Sequence, residues 1–210
     1  MRNLVLSVII AFAGIAFTNA QSLQFGVRGG YNYSNLRGET SSKLDLKAKN
    51  GYHIGIFTEL PLSSKMSIQP EILYSTQGAS NVFQEGDELK TQNINIPVLF
   101  KYYLVEGFNF QVGPQVSFNT GSEYDFNKSG ADKLWNDVKT GDTTKGLNYG
   151  AVFGLGYKVP IIGITLDARY ALGLNNIINT EDNGLGAVLK SAKETDLKNG
   201  VFSLGVGYQF

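Results

Sequence analysis

The sequence predicts an all-β chain folded as an eight-stranded, antiparallel, up-and-down transmembrane β-barrel. Three observations predict it. Eight segments alternate apolar and polar side chains with a period of two, the mark of a strand with two different environments. Each is near the roughly 9 to 11 residues that a tilted strand needs to cross hydrocarbon. The connections between them run long, short, long, short, as in barrels with tight turns at one end and longer loops at the other.

The first strand places Leu23, Phe25, Val27, Gly29, Tyr31 and Tyr33 on one face, with Gln24, Gly26, Arg28, Gly30, Asn32 and Ser34 behind. After a polar loop, Tyr52, Ile54, Ile56 and Leu60 alternate with His53, Gly55, Phe57 and Glu59. Pro61 to Lys65 form a short turn into the third strand, where Met66, Ile68, Pro70, Ile72 and Tyr74 oppose Ser67, Gln69, Glu71, Leu73 and Ser75. A loop from Gly78 to Glu88 follows. Strand four sets Ile94, Ile96, Val98, Phe100 and Tyr102 against Asn93, Asn95, Pro97, Leu99 and Lys101. The turn Val105-Glu106-Gly107 leads to Phe108, Phe110, Val112, Pro114, Val116 and Phe118 in strand five.

Thr120 to Gly146 reads as a long loop with a short helix around Leu134, Trp135 and Val138. An extra hairpin there would make ten strands, but the low strand propensity of Asn127 to Lys139 argues for eight. Strand six carries Leu147, Tyr149, Ala151, Phe153, Leu155 and Tyr157, and a turn near Pro160 starts strand seven with Ile164, Leu166, Ala168, Tyr170 and Leu172. Asn175 to Asn199 form the last loop. The final strand runs Phe202, Leu204, Val206, Tyr208 and Phe210, with Ser203, Gly205, Gly207 and Gln209 between.

A soluble lipocalin-like barrel also has one apolar and one polar face, with the apolar one turned inward. Two features favour the membrane. The polar face is rich in Gly, Asn, Gln and Ser with few charges, which suits a narrow interior that side chains fill. The aromatics of the apolar face gather near strand ends: Tyr31, Tyr33, Tyr52, Tyr74, Phe118, Tyr149 and Phe202 at one level, Phe25, Phe100, Tyr102, Phe108, Tyr157, Tyr208 and Phe210 at the other. These form the two girdles expected at lipid headgroups.

The chain ends add an expected location. Arg2, the apolar run Leu4 to Phe17 and the small residues Thr18-Asn19-Ala20 read as a signal peptide over residues 1–20, cut before Gln21. The run is too short to span a bilayer. Residues 21–210 then form one outer-membrane barrel domain. Tyr208 and the terminal Phe210 resemble the signal read by the outer-membrane assembly machinery of Gram-negative bacteria, so this outer membrane is the expected location, with both ends in the periplasm. Zero Cys excludes disulfides and thiolate metal sites. Lys+Arg 18 against Asp+Glu 18 gives a nucleic-acid partner no electrostatic basis.

The stretch Asn93-Ile94-Asn95-Ile96-Pro97-Val98-Leu99-Phe100-Lys101-Tyr102 resembles the "IP-apolar-apolar-K-Y" strand of PorT-family outer-membrane proteins. Gly26 to Asn32 with Ser34-Asn35-Leu36, Gly113-Pro114-Gln115-Val116, and Asp167-Ala168-Arg169-Tyr170 with Gly173-Leu174 extend the resemblance over the mature chain. It implies an OmpA-like eight-stranded barrel. The founding member is implicated in type IX secretion and gliding, while most members have no assigned activity; fold therefore transfers better than function.

Candidate chemistry is sparse. Some eight-stranded barrels act on lipid A or phospholipid acyl chains with a His paired to a Ser or Asp at the outer rim. The single histidine here, His53, faces inward near Ser75 and Ser34 without an orienting carboxylate at a recognisable spacing, which reads as an interior hydrogen-bonding residue. The inward charges Arg28, Glu59, Glu71, Lys101, Asp167 and Arg169 are balanced, and unpaired charges in so narrow a barrel would be costly. They are expected to form a salt-bridge network that plugs the interior, with Arg169 near its centre. Pro70, Pro97 and Pro114 sit mid-strand and are expected to mark bulges or bends. Tyr124, Phe126, Leu134 and Trp135 make the third outer loop a candidate contact surface. Asp142 to Thr144 and Glu181 to Asn183 lack calcium-loop spacing. No enzyme activity, metal or cofactor is expected. The expected partners are outer-membrane lipid, the assembly machinery, and secretion or surface proteins.

Overall fold

The computed structural model describes residues 23–37, 47–80, 88–125, 146–175 and 198–210. Within them the chain forms eight strands: β1 (Gln24–Arg37), β2 (Lys47–Ser63), β3 (Met66–Ser80), β4 (Glu88–Tyr103), β5 (Phe108–Asp125), β6 (Leu147–Lys158), β7 (Ile164–Gly173) and β8 (Lys198–Gln209). Every strand pairs antiparallel with its sequence neighbours, and β8 returns to β1, so the sheet closes and has no edge. Among the described residues, no helix is long and apolar enough to cross a membrane.

The barrel is polar inside and apolar outside. Seventeen polar or charged described residues are buried against five hydrophobic ones, Phe57, Leu73, Leu99, Val152 and Val201. Ile54, Val112, Leu204 and the rest of the alternate apolar set lie exposed. An apolar surface that encircles the molecule far exceeds the patches a water-soluble monomer tolerates, and hydrocarbon is the medium that suits it. From Phe25 to Tyr33 the belt runs about 26 Å along β1 at roughly 3.3 Å per residue. At a tilt near 40° this is about 20 Å of depth, the order of the apolar band of outer-membrane barrels. Register brings the aromatic levels together: Tyr31 pairs with Tyr52 and Tyr33 with Phe202 at one level, and Phe108 with Tyr157 at the other.

Strand lengths depart from expectation at the long-loop end. β2 begins five residues before Tyr52, β3 continues through Gly78 to Ser80, β4 begins at Glu88, β5 continues past Phe118 to Asp125, and β8 begins at Lys198. These extensions pair as ladders, with Lys47 opposite Ser80, Gly78 opposite Lys90, and Lys90 opposite Glu123. Beyond the membrane both faces of a ribbon meet water, so no apolar alternation marks it in the sequence. Tyr124 accordingly belongs to β5, where it pairs with Leu89, and not to a loop.

The prolines also correct the expectation. The register is the same on both sides of Pro70, Pro97 and Pro114, whereas the irregularities fall between Ala48 and His53, between Pro61 and Ser63, and between Gln92 and Asn93. The β3–β4 ladder lacks the pairs facing Pro97, and the β4–β5 ladder those facing Pro114. Each proline removes a donor and interrupts the ladder locally; the closed sheet on either side holds the alignment.

The β6–β7 connection is a tight turn with one unusual residue. Ile162 N donates to Pro160 O at 2.9 Å around Ile161, which has φ 78° and is fully exposed. This is a γ-turn of the rare, strained kind, and a β-branched residue in the left-handed region is an outlier.

Candidate functional site: the polar lumen

Inward parity delivers the charged residues to one axial column. In its middle, β1 supplies Arg28, β3 supplies Glu71, and β7 supplies Asp167 and Arg169. Arg28 Nη1 lies 3.1 Å from Glu71 Oε2, and Arg28 Nη2 donates to Asp167 Oδ1 at 2.6 Å. Arg169 Nη1 donates to the same Glu71 oxygen at 2.8 Å, and its Nε lies 3.1 Å from Asp167 Oδ1. That last contact is a charge pair without hydrogen-bond alignment, since Nε has no hydrogen-bond partner. Two cations and two carboxylates thus neutralise one another where water cannot. The hub is Glu71, which accepts hydrogen bonds from both guanidiniums; Arg169, like Arg28, also reaches Asp167.

A second group lies toward the short-turn end. Lys101 Nζ is 3.1 Å from Glu59 Oε2, whose partner oxygen accepts from Ser67 Oγ at 2.7 Å and from Tyr103 OH at 2.5 Å. Gln69 joins the groups: its Nε2 donates to Glu71 Oε1 at 2.6 Å and its Oε1 accepts from Lys101 Nζ at 2.9 Å. Gln209 then donates to Glu59 Oε2 at 3.2 Å and to Gln24 Oε1 at 2.8 Å, and Lys158 also donates to Gln24. A continuous hydrogen-bonded chain therefore runs from the barrel centre to the seam where β8 meets β1.

Sequence reasoning named the six charges and set Asn32, Ser67, Gln69 and Gln209 on the polar face without joining them to the network, and it missed Tyr103, which parity alone could have found. Tyr103 shares the face of Lys101, and an aromatic hydroxyl on a polar face signals a buried partner.

His53 belongs to the same packing. Its Nε2 lies 3.4 Å from Arg28 Nη2, which can only donate, so Nε2 accepts and Nδ1 carries the proton. Nδ1 donates to Asn32 Oδ1 at 2.9 Å, and Asn32 Nδ2 in turn donates to Ser75 Oγ at 2.9 Å and to the Tyr52 and Thr76 carbonyls. Ser34 instead bonds the carbonyls of Lys49 and Gly78. Among the described residues, no hydroxyl bonds to His53.

What space remains is small. A cavity of about 40 Å³ borders Arg28, His53, Asn95 and Arg169, and one of about 10 Å³ lies toward the short turns. A third, also about 40 Å³, opens toward the long loops between Asn93, Gln115, Asn148 and Asn199. At roughly 10–15 Å³ per water centre, the two larger spaces hold about three waters each and the smallest at most one, and none of them is an aqueous pore. Asn95 Oδ1 and Arg28 Nε, buried without a protein partner, are the groups such waters would satisfy. Among the described residues, no group of three His, Cys, Asp or Glu could hold a metal.

Elsewhere, Tyr208 and Phe210 lie on the exposed apolar face with ring centroids 6.4 Å apart, and Phe210 N donates to Phe25 O at 2.9 Å. Phe126, Leu134, Trp135, the helix proposed around them, the acidic loop stretches and residues 1–20 lie outside the described residues.

Residues 19–179, well over half of the chain, match the family described as an outer membrane protein beta-barrel domain. The chain belongs to this family. No curated protein matches it. Among solved structures, the barrel is similar to Neisserial surface protein A, with a TM-score of 0.55 and 15% identity over 89% of this chain and 97% of that one. Looser likenesses are to Ail, the attachment invasion locus protein of Yersinia pestis (TM-score 0.47, 12% identity, 90% and 100% covered), and to OprG of Pseudomonas aeruginosa (0.42, 13%, 90% and 96%). At such identities the likeness to the Neisserial protein bears on the fold alone. As an outer-membrane barrel, the protein turns its apolar belt to lipid and keeps its ion pairs within.

Proposed function

We propose that the protein is a non-catalytic barrel of the Gram-negative outer membrane with a structural or surface-interaction role, exported by removal of residues 1–20 and oriented with its short turns in the periplasm. The observation that carries this reading is the filled lumen. The hydrogen-bonded chain from Arg28 to Gln24 fills the lumen from its centre to the β8–β1 seam, and the one histidine is spent on Asn32 and Arg28. The outward pair Tyr208 and Phe210 supports a contact with the assembly machinery during biogenesis. Contacts with other surface proteins then fall to the long connections, where a rigid barrel displays variable segments.

A second reading, an accessory role in type IX secretion, is favoured by the PorT-type strand Asn93 to Tyr102. The deciding experiment is a deletion strain whose secretome and lipid profile are measured together. Unchanged lipid A and phospholipid species are expected. Lipid changes that His53→Ala reproduces would replace this proposal with an enzyme. Loss of exported cargo, with co-purification of secretion components, would establish the second reading.

A further inference from the structure

We propose that the tips of the three short turns are immersed in the phospholipid headgroup layer of the membrane, where Leu62, Leu104, Val105, Ile161 and Ile162 anchor that end of the barrel. Which leaflet receives them, the inner one, rests on the orientation proposed above; the immersion itself does not.

The short connections share one chemistry. Leu62 stands at the end of β2, Leu104 and Val105 lie between β4 and β5, and Ile161 and Ile162 lie between β6 and β7. All five are exposed, and Val105 and Ile161 are more exposed than Ile54 in the middle of the belt. Single exposed aliphatics are ordinary on a protein surface, but these recur at every short turn and prolong the lipid-facing wall. Leu62 follows Leu60, Leu104 follows Tyr102, and Ile162 precedes Ile164, each two residues apart and so on the outward parity. The strand extensions at the opposite end carry Lys49, Glu88, Lys90, Glu123 and Asp125 instead. The two ends therefore suit different media.

Height points to lipid as the occupant. The belt from Phe25 to Tyr33 spans about 20 Å, whereas the apolar band of outer-membrane barrels is about 25 Å tall. Leu104 lies two residues beyond Tyr102 of the girdle, about 7 Å along the strand at roughly 3.3 Å per residue. Tilted as before, this adds about 5 Å, and the turn tips complete the band. Lys65 and Glu106 are exposed at the same tips, and charges there exclude the hydrocarbon. The headgroup layer is the depth that accepts both. Ile161 adds a second observation. At φ 78° its fully exposed side chain is held away from the protein in a strained conformation that no contact within the chain offsets. Lipid supplies that contact in a bilayer; a solubilised barrel keeps the strain without it.

The chain contains no Cys, so one introduced Cys carries a nitroxide to a chosen site. Glu106→Cys labels a tip while keeping Leu104 and Val105. Ile54→Cys marks the belt, and Thr120→Cys, exposed two residues beyond Phe118, marks the matching distance at the long-loop end. The full barrel is reconstituted in phosphatidylcholine vesicles, and electron paramagnetic resonance compares collisions with oxygen, which enriches in lipid, and with a water-soluble nickel chelate. The oxygen-to-nickel ratio at Glu106→Cys is expected to fall between those of the other two sites and several-fold above that of Thr120→Cys. Adding Leu104→Ser and Val105→Ser should lower it several-fold, toward the Thr120→Cys value. Folding of each variant is checked by the gel mobility of unheated samples. A tip as accessible to nickel as Thr120→Cys, or a ratio that the serines leave unchanged, overturns the proposal. A tip that is aqueous in vesicles yet shielded in native outer-membrane fragments is covered by a protein, which overturns the assignment to lipid. Both leaflets of the vesicles are the same, so a barrel inserted the other way round leaves these ratios unchanged and shows instead in the protease sensitivity of the long loops on cells.

Discussion

Strands β1–β4 and strands β6–β8 enclose one lumen but contribute to it unequally. The first set points Arg28, Asn32, His53, Phe57, Glu59, Gln69, Glu71, Leu73, Leu99 and Lys101 inward. The second, apart from Asp167 and Arg169, sets Gly150, Gly154, Gly156, Ala171, Ser203, Gly205 and Gly207 among Val152, Val201 and Gln209. The long side chains of one half cross the axis and occupy room that the other half leaves. A Cβ on Gly205 would collide with Arg28 Nη2 and lie 3.0 Å from both Asp167 oxygens, and one on Gly154 would lie 2.7 Å from Arg169 Cγ. The glycines of β6–β8 thus serve as the negative of the charged side chains opposite. A barrel this narrow is a packed core whose contents happen to be polar.

The largest effect should follow from removing the hub on the bulky side. Glu71 has no exposed side-chain surface and is the carboxylate that accepts hydrogen bonds from both arginines. Glu71→Gln leaves two buried guanidiniums with Asp167 alone, and breaking a buried ion pair from one side costs about 3–5 kcal/mol. Arg169→Met should cost less, because Arg28 still bridges Glu71 and Asp167. Unfolding midpoints in urea, read by gel mobility or tryptophan fluorescence, give the order. If Arg169→Met proves the more damaging, the hub is misassigned.

Next in size is a substitution on the glycine side. Gly205→Val pushes a branched side chain into the space of Arg28 and Asp167, and overpacking a filled interior costs about 1–3 kcal/mol. Because this loss arises from the same contacts, combining Gly205→Val with Glu71→Gln should destabilise by less than the sum of the two. Additive losses would mean that the halves pack independently and that the complementarity between them is accidental.

The sequence carried one side of this arrangement better than the other. A period of two assigned Arg28, Glu59, Glu71, Lys101, Asp167 and Arg169 to the inside, because lipid outside makes the alternation strict. It could not say which charges meet. Arg28 is 43 residues from Glu71 and 139 from Asp167, and their approach depends on the stagger of several strands. The role of the glycines was equally hidden, since small residues record only what they leave empty. Where the wall leaves the membrane the period ceases to report anything, so Tyr124 and Lys198 read as loop although both lie in strands. Pro97 shows the opposite limit: its local rule held, with a gap in the ladder, but closure of the sheet kept the register that a lone strand would have lost.

The smallest effect separates the wall from its contents. Ile161 lies in the turn that joins β6 to β7, outside the lumen, and its fully exposed side chain gains nothing from burial. Its φ of 78° crowds the Cβ against the backbone, at a cost of about 1–2 kcal/mol for an ordinary residue. Glycine removes the clash but frees the unfolded chain, so Ile161→Gly should stabilise by about 0.5–1 kcal/mol. The same increment should appear in a Glu71→Gln background, because the turn shares no contact with the ion pairs. A loss of stability in place of the gain would mean that the exposed isoleucine has a partner at the short-turn end. An increment that changes with Glu71 would mean that strain in the turn reaches the lumen through β7, whose inward face carries Asp167 and Arg169.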